Sequence, residues 1–140
     1  MPVVTEFIQC NMKGGTQIEN ITHPLQEITK NSGLQSGTLT AFVRHTTASI
    51  MIIEDEPGIR SDTRRIWEQL IPPDPAWAHN TLNHGEDNGH SHLRGQLQGP
   101  SMTIPFVNQA LTLGTWQQIV LIDFDTRART RELVLQLIGE

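Results

Sequence analysis

His79, His84, His90 and His92 crowd one short polar stretch of a chain that carries six histidines in all. Only Leu82 within that stretch is strongly apolar. Histidine is the commonest metal ligand and the one side chain that titrates near neutral pH without perturbation. The stretch therefore reads as a metal site, an acid/base site, or a polar loop with no packing role. His90 and His92 stand two apart, so they share a face on a strand and diverge on a helix. Leu93 opens a predicted helix, which turns one of the pair away; His92 is expected to point inward. Glu86 and Asp87 read as ligands, or as carboxylates that orient an imidazole. A catalytic zinc site takes three protein ligands plus water. The one cysteine, Cys10, lies far from these residues, which excludes a closed thiolate site.

Further chemistry-bearing residues lie outside the stretch. His45 ends a predicted strand just before Thr46-Thr47-Ala48-Ser49. A regular element holds a side chain more rigidly than a loop does, as a site requires; the plainer reading is a hydrogen-bonded histidine. Glu54, Asp55 and Glu56 follow an apolar run. Glu54, nearest the strand, reads as a general base or a ligand for a hard cation. Asp55 and Glu56 read as an acidic turn capping the next helix. Trp116 is either core or a wall for a planar ligand, with Gln117 beside it to fix orientation. Arg127, Arg129 and Arg131 alternate, so on a strand they share a face and can meet phosphate bidentately. No glycine-rich phosphate loop is present, so a phosphate would rest on such side chains and on helix N-termini. Arg60, Arg64 and Arg65 read as solvated surface.

The elements that must position these residues follow from periodicity. Val3–Met12 and Gln17–Ile21 are strand-like and flank a Gly14-Gly15 turn. Thr22-His23-Pro24 marks a helix start, and Gly33 a stop. In Thr38–His45, Leu39, Ala41 and Val43 alternate against Thr38, Thr40, Phe42 and Arg44. Ala48–Ile53 suits a strand buried on both faces. Ile59, Thr63, Ile66, Trp67 and Leu70 follow helical spacing, with Trp67 as core, and Pro72-Pro73-Asp74-Pro75 ends that helix. Leu93 and Leu97 suggest a short helix stopped by Gly99-Pro100. Ser101–Val107, Leu111–Leu113, Trp116–Asp125 and Arg131–Ile138 read as strands. The sum is a single α+β domain over 1–140, a mainly antiparallel β-sheet core with two or three helices.

Composition narrows the function. Net charge is −5 with neutral histidines, and no basic stripe is present, so no nucleic-acid partner is expected. A single cysteine permits no intrachain disulfide, and Cys10 reads as a small packed residue. No apolar run approaches the ~18 residues of a membrane span. The opening residues lack the basic and apolar regions of a secretory signal. A cytoplasmic protein without a membrane partner is the expectation.

The order of segments then carries a resemblance. His45-Thr46-Thr47-Ala48-Ser49, Glu54, Leu70-Ile71-Pro72, His79, Asp87-Asn88-Gly89-His90-Ser91-His92, Gly99-Pro100-Ser101-Met102-Thr103-Ile104-Pro105 and Leu113-Gly114-Thr115-Trp116-Gln117-Gln118-Ile119 occur in sequence. In this the chain resembles the YjbQ-like family, which is associated with secondary thiamine-phosphate synthase activity. That weak transferase reaction joins a hydroxymethylpyrimidine diphosphate to a thiazole phosphate and releases pyrophosphate.

The resemblance implies a homotrimer with a polar pocket near the subunit boundaries. It implies a divalent metal ion, zinc or magnesium, on His45, His79 and His92; His84 and His90 fall in a more variable part. It marks His45, Ser49 and Glu54 as candidate catalytic residues. Thr47, Trp116, Gln117, Arg127 and Arg129 become candidates for binding substrate or phosphate. The chain departs from the family at Ile53, where Asn is common, and in a slightly shorter Glu56-Pro57-Gly58-Ile59 segment. The expectation is a metal-dependent enzyme acting on a small phosphorylated or heterocyclic substrate. The alternatives are a non-catalytic homotrimeric protein that binds a small ligand or metal, and histidines that only cement the trimer.

Overall fold

A computed structural model describes all 140 residues. The elements run β1 (Val3–Met12), β2 (Gln17–Asn20), α1 (Thr22–Asn31), β3 (Ser36–Val43), β4 (Ala48–Ile53), α2 (Pro57–Leu70), α3 (Ala78–Leu82), α4 (Gly89–Gln98), β5 (Ser101–Val107), β6 (Ala110–Leu111), β7 (Gln118–Asp123) and β8 (Arg129–Gly139). Every strand pairing is antiparallel. A five-stranded sheet has the order β1-β8-β3-β5-β6, and a three-stranded sheet the order β2-β7-β4. This is the α+β fold expected from the alternation.

Alternation decides which faces meet. Leu39, Ala41 and Val43 of β3, with Leu133, Leu135 and Leu137 of β8, cover the inner face of the large sheet and are buried. They share one core with Ala48 and Ile50 of β4 and with Ile119 and Leu121 of β7, so the two sheets pack face to face. The other face of the small sheet carries Ile18, Met51, Val120 and Ile122, which join Phe124 and Trp67 of α2 in a second core. The Trp67 and Phe124 rings meet edge to face at 5.0 Å. The layers are therefore large sheet, small sheet and α2, while α1 packs Leu25 into the first core. The outer face of the large sheet has no covering layer, and Val3, Phe7, Phe42, Val107 and Ile138 stand exposed on it.

Three details depart from the periodicity. There are four helices rather than two or three, because α3 forms one short turn inside the histidine stretch. Helix α4 opens at Gly89, not at Leu93. Its first turn, His90-Ser91-His92, has no apolar period to announce it; tertiary hydrogen bonds hold it instead. Gly89 N–H donates to Asn80 Oδ1 at 2.9 Å, and Ser91 Oγ–H donates to the Phe124 carbonyl. Along α2 only Trp67 of the apolar set is buried, while Ile59, Ile66 and Leu70 remain exposed. The helix starts as its sequence suggests, with Pro57 in the first turn and the Glu56 carboxylate accepting from the Gly58 and Ile59 amides.

Candidate functional site

The site forms where β4 begins and β7 ends, because register places Ala48 opposite Asp123. The chain enters β4 through Arg44–Thr47, and the Thr47 carbonyl accepts the Phe124 amide at 2.9 Å. Helix α4 lies directly against this turn. A Cβ at Gly95 would stand 2.6 Å from the Thr46 carbonyl oxygen, so only glycine permits so close an approach.

The floor is charged and closed to solvent. Asp123, Asp125 and Arg131 are 0 %, 1 % and 1 % exposed. Buried charges must be paired and hydrogen-bonded to be tolerated. Arg131 meets this by donating Nε–H to Asp123 Oδ2 at 2.6 Å and Nη2–H to Oδ1 at 2.8 Å. Its Nη2 also donates to Thr47 Oγ1 at 2.7 Å, and that hydroxyl donates on to Asp125 Oδ2 at 2.9 Å. Asp125 further accepts from Arg129 Nε at 2.6 Å, Asn88 Nδ2 at 3.1 Å and the Thr126 amide at 2.7 Å. Burial on its own would raise the Asp125 carboxyl. The bonds from Thr47, Asn88, Thr126 and Arg129 more than offset this and hold it at about 2.

The histidines stand on this floor. Asn88 Oδ1 lies 3.1 Å from His79 Nε2, and Glu86 Oε2 lies 4.0 Å from the same nitrogen. The His79 and His92 rings are 4.3 Å apart between centroids, tilted by 47°. Burial, and next the neighbouring His79, push the His92 imidazole below its ordinary pKa. His45 is lowered too, by burial first and then by the Arg131 charge. Its Nε2 accepts the Glu132 amide proton at 3.1 Å. Arg44 continues the register opposite Glu132 and donates its amide to the Glu132 carbonyl, but the return bond from the Glu132 amide goes to the His45 ring instead of the Arg44 carbonyl.

These groups line a cleft of about 430 Å³ with no hydrophobic residue in its wall. Arg129 reaches it with both Nη groups free of protein partners, since only its Nε is engaged. A second cleft of about 500 Å³ adjoins it and has an apolar wall of Phe42, Val43, Ala48 and Pro100. Arg44, His45, Thr46 and His92 border both.

Of the residues singled out in the sequence, His45, Thr47, His79, Glu86, His92, Arg129 and Arg131 meet here. The others do not. Glu54 lies past the far end of β4, where Ile53 pairs with Gln118. At ~3.3 Å per residue, the Gln118–Asp123 strand separates the two ends by roughly 17 Å. Trp116 is 71 % exposed at that far end, and Gln117 closes its own turn by accepting the Gly114 amide. Arg127 sits in the turn before β8 and reaches the Gly85 carbonyl at 3.3 Å, so it leaves the row expected with Arg129 and Arg131. Arg131 stays in the row but is spent on Asp123. Ser49 is fully buried beside Ile122, its Oγ without a partner, and lines neither cleft. His90 is turned into the protein near Arg94, as two-residue spacing on a helix requires.

The three-histidine metal site finds no counterpart within one chain. No three His, Cys, Asp or Glu side chains converge on a common point. His45 in addition has its Nε2 lone pair occupied by the Glu132 amide. The donor set as placed does not fit a metal on these three residues.

Periodicity gave no sign of Asn88. Asp123 and Asp125 did carry a signal: they follow Ile119–Ile122, a run apolar enough to be buried on both faces, so carboxylates at its end demand buried cations.

Residues 6–140 match the model of the family described as UPF0047 protein YjbQ-like. A UPF0047 protein of Methanothermobacter thermautotrophicus is 32% identical over 140 residues, covering 100% of this chain and 95% of that one. One from Synechocystis is 36% identical over 128 residues, covering 90% and 86%. The crystal structure of a YbjQ-like protein of unknown function from Sulfolobus solfataricus superposes with a TM-score of 0.89 at 28% identity, over 99% of this chain and 100% of that one.

Proposed function

The chain belongs to the YjbQ-like UPF0047 family, and from that premise we propose that it is an enzyme acting on a small anionic, phosphorylated or heterocyclic substrate in the histidine-lined cleft. The observation that carries this reading is the wholly polar cleft standing on a buried, fully paired charge network. Such a floor fixes side-chain positions before substrate arrives, which is what electrostatic stabilisation of a developing anion requires. The free Nη edge of Arg129 receives an anionic group in planar, bidentate fashion. His92, whose protonation is disfavoured by burial and by the neighbouring His79, and the His79 ring beside it exchange protons with the reacting group. The adjoining apolar cleft takes the uncharged body of the same molecule.

Thiamine-phosphate synthase activity, the secondary reaction associated with the family, is compatible with this division. The pyrimidine carbon–oxygen bond breaks, a carbon–nitrogen bond to the thiazole forms, and pyrophosphate departs toward Arg129. No step is assigned to a metal ion. The test is pyrophosphate release from the two phosphorylated precursors, with His92→Ala and Arg129→Ala compared against the unaltered protein. Each substitution is expected to lower turnover about 100-fold or more. Unchanged turnover in both variants overturns the reading. Elemental analysis of untagged protein purified without chelator checks the metal separately.

A homotrimer is the second part of the proposal. Its support is the uncovered apolar face of the large sheet, with Val3, Phe7, Phe42, Val107 and Ile138 exposed. Exposed apolar patches of this kind mark association surfaces. Light scattering of the eluting protein measures the mass directly, and a monomer at micromolar concentration refutes it.

A further inference from the structure

We infer that two cleft histidines are locked in opposite tautomers, His45 as an Nδ1–H donor and His79 as an Nδ1 base, with Asn88 the positioning residue that sets His79. The assignment follows from which partners can only donate and which can only accept. Asp125 is an ionised carboxylate and accepts only. The Asn88 group facing it at 3.1 Å must then be the amide NH2. That fixes the carboxamide, because its other end is necessarily the carbonyl oxygen. This oxygen lies 3.1 Å from His79 Nε2, and a carbonyl cannot donate. His79 Nε2 therefore carries the hydrogen, and the negative charge of the Glu86 carboxylate 4.0 Å from the same nitrogen favours it there. In the neutral ring Nδ1 is left bare.

For His45 the logic runs the other way. The Glu132 backbone amide can only donate, and it points at Nε2 from 3.1 Å. That nitrogen is bare, so the neutral ring carries its hydrogen on Nδ1. One histidine offers the cleft a lone pair, and the other can offer it a proton donor. The chain of Asp125, Asn88 and His79 resembles in kind the orienting partners that fix imidazole tautomers at metal and catalytic sites.

What the two tautomers serve rests on the proposed acid–base reading; the tautomers themselves do not. The test is therefore spectroscopic and needs no substrate. A long-range proton–nitrogen correlation spectrum of the uniformly nitrogen-15-labelled full chain, above the titration range of its histidines, reports which ring nitrogen is protonated. Single His→Gln variants assign the signals. His45 is expected as Nδ1–H and His79 as Nε2–H. Finding His45 as Nε2–H, or His79 as Nδ1–H, overturns the inference. Asn88→Ala and the near-isosteric Asn88→Leu are each expected to give His79 signals from both tautomers, since neither side chain accepts a hydrogen bond there. A merely structural Asn88 would leave the His79 tautomer unmoved in both, which also overturns the assignment. Should these variants fail to fold, the spectrum of the unaltered protein still decides. Tautomers as expected together with full turnover in His79→Ala would sink the acid–base reading alone.

Discussion

The two ends of the three-stranded sheet carry similar residue types and treat them in opposite ways. At one end Asp123, Asp125 and Arg131 are sealed from water and bonded to one another. At the other, Glu54 and Trp116 face solvent, and Asp55 makes a half-buried pair with Arg60. Sequence ranks the two ends alike, each with acids, arginines and a polar or aromatic turn. Burial separates them. A charge in water needs no partner, so its geometry is loosely held. A charge under a helix must be fully paired, and full pairing fixes position. The closed end is thus the one able to hold the side chains of the cleft in register.

The sharpest way to break this contrast is to unpair the closed end. Asp123→Ala leaves the Arg131 guanidinium buried without its bidentate partner. It is expected to cost about 3–5 kcal/mol in denaturant unfolding, a large share of a domain's ~5–15 kcal/mol. A loss below about 1 kcal/mol, the range of exposed pairs, would place this network in the same class as the open end.

Arg129→Ala comes next. Its expected drop in turnover, about 100-fold, corresponds to roughly 2.7 kcal/mol of transition-state stabilisation. Its guanidinium is part-exposed, so unfolding midpoints should move far less than for Asp123→Ala. A large stability loss with intact turnover would recast it as part of the floor.

Acid should act on the closed end through Asp125. Its carboxyl lies at about 2 when folded, below the ordinary 3.8. A folded value depressed in this way contributes stability that is complete above about pH 4 and lost as pH falls toward 2. The loss is on the order of 2 kcal/mol. Asp125→Asn should flatten the stability profile over that window, and an unchanged profile would remove Asp125 from its central place.

The smallest effects belong to the open end. Glu54→Ala and Trp116→Ala should each change stability by no more than about 0.5 kcal/mol, as surface substitutions do. In one chain neither touches the cleft. If either abolishes turnover, the far end of a neighbouring copy reaches the cleft, and the contrast between the two ends holds only within a subunit.

Strands were legible wherever one face is buried. Leu39, Ala41 and Val43, and Leu133, Leu135 and Leu137, alternate in sequence and all face the core. Helix α2 was legible from its apolar spacing, its acidic cap and its proline stop, but not in depth, because an apolar period does not say how closely a helix approaches its sheet. Helix α4 was hidden at its polar first turn, since partners distant in sequence supply its hydrogen bonds. The cleft was half legible. His45, His79, His92 and Arg129 are residue types that chemistry selects. Asn88 is an amide among many, and only its place between Asp125 and His79 gives it a role.

The Glu132 amide bound by His45 belongs to β8, an inner strand of the large sheet that pairs with β1 and, from Leu133 on, with β3. Arg131, one residue before it, is locked to the end of β7. The floor of the cleft is therefore tied to both sheets, whereas its rim at α3 is a single exposed turn. Amide hydrogens along the floor should exchange with solvent only when the whole domain opens, and those of the rim through local fraying. On warming, the rim loosens first. The platform of the cleft keeps its shape until the domain itself melts, so damage to the floor should coincide with global unfolding.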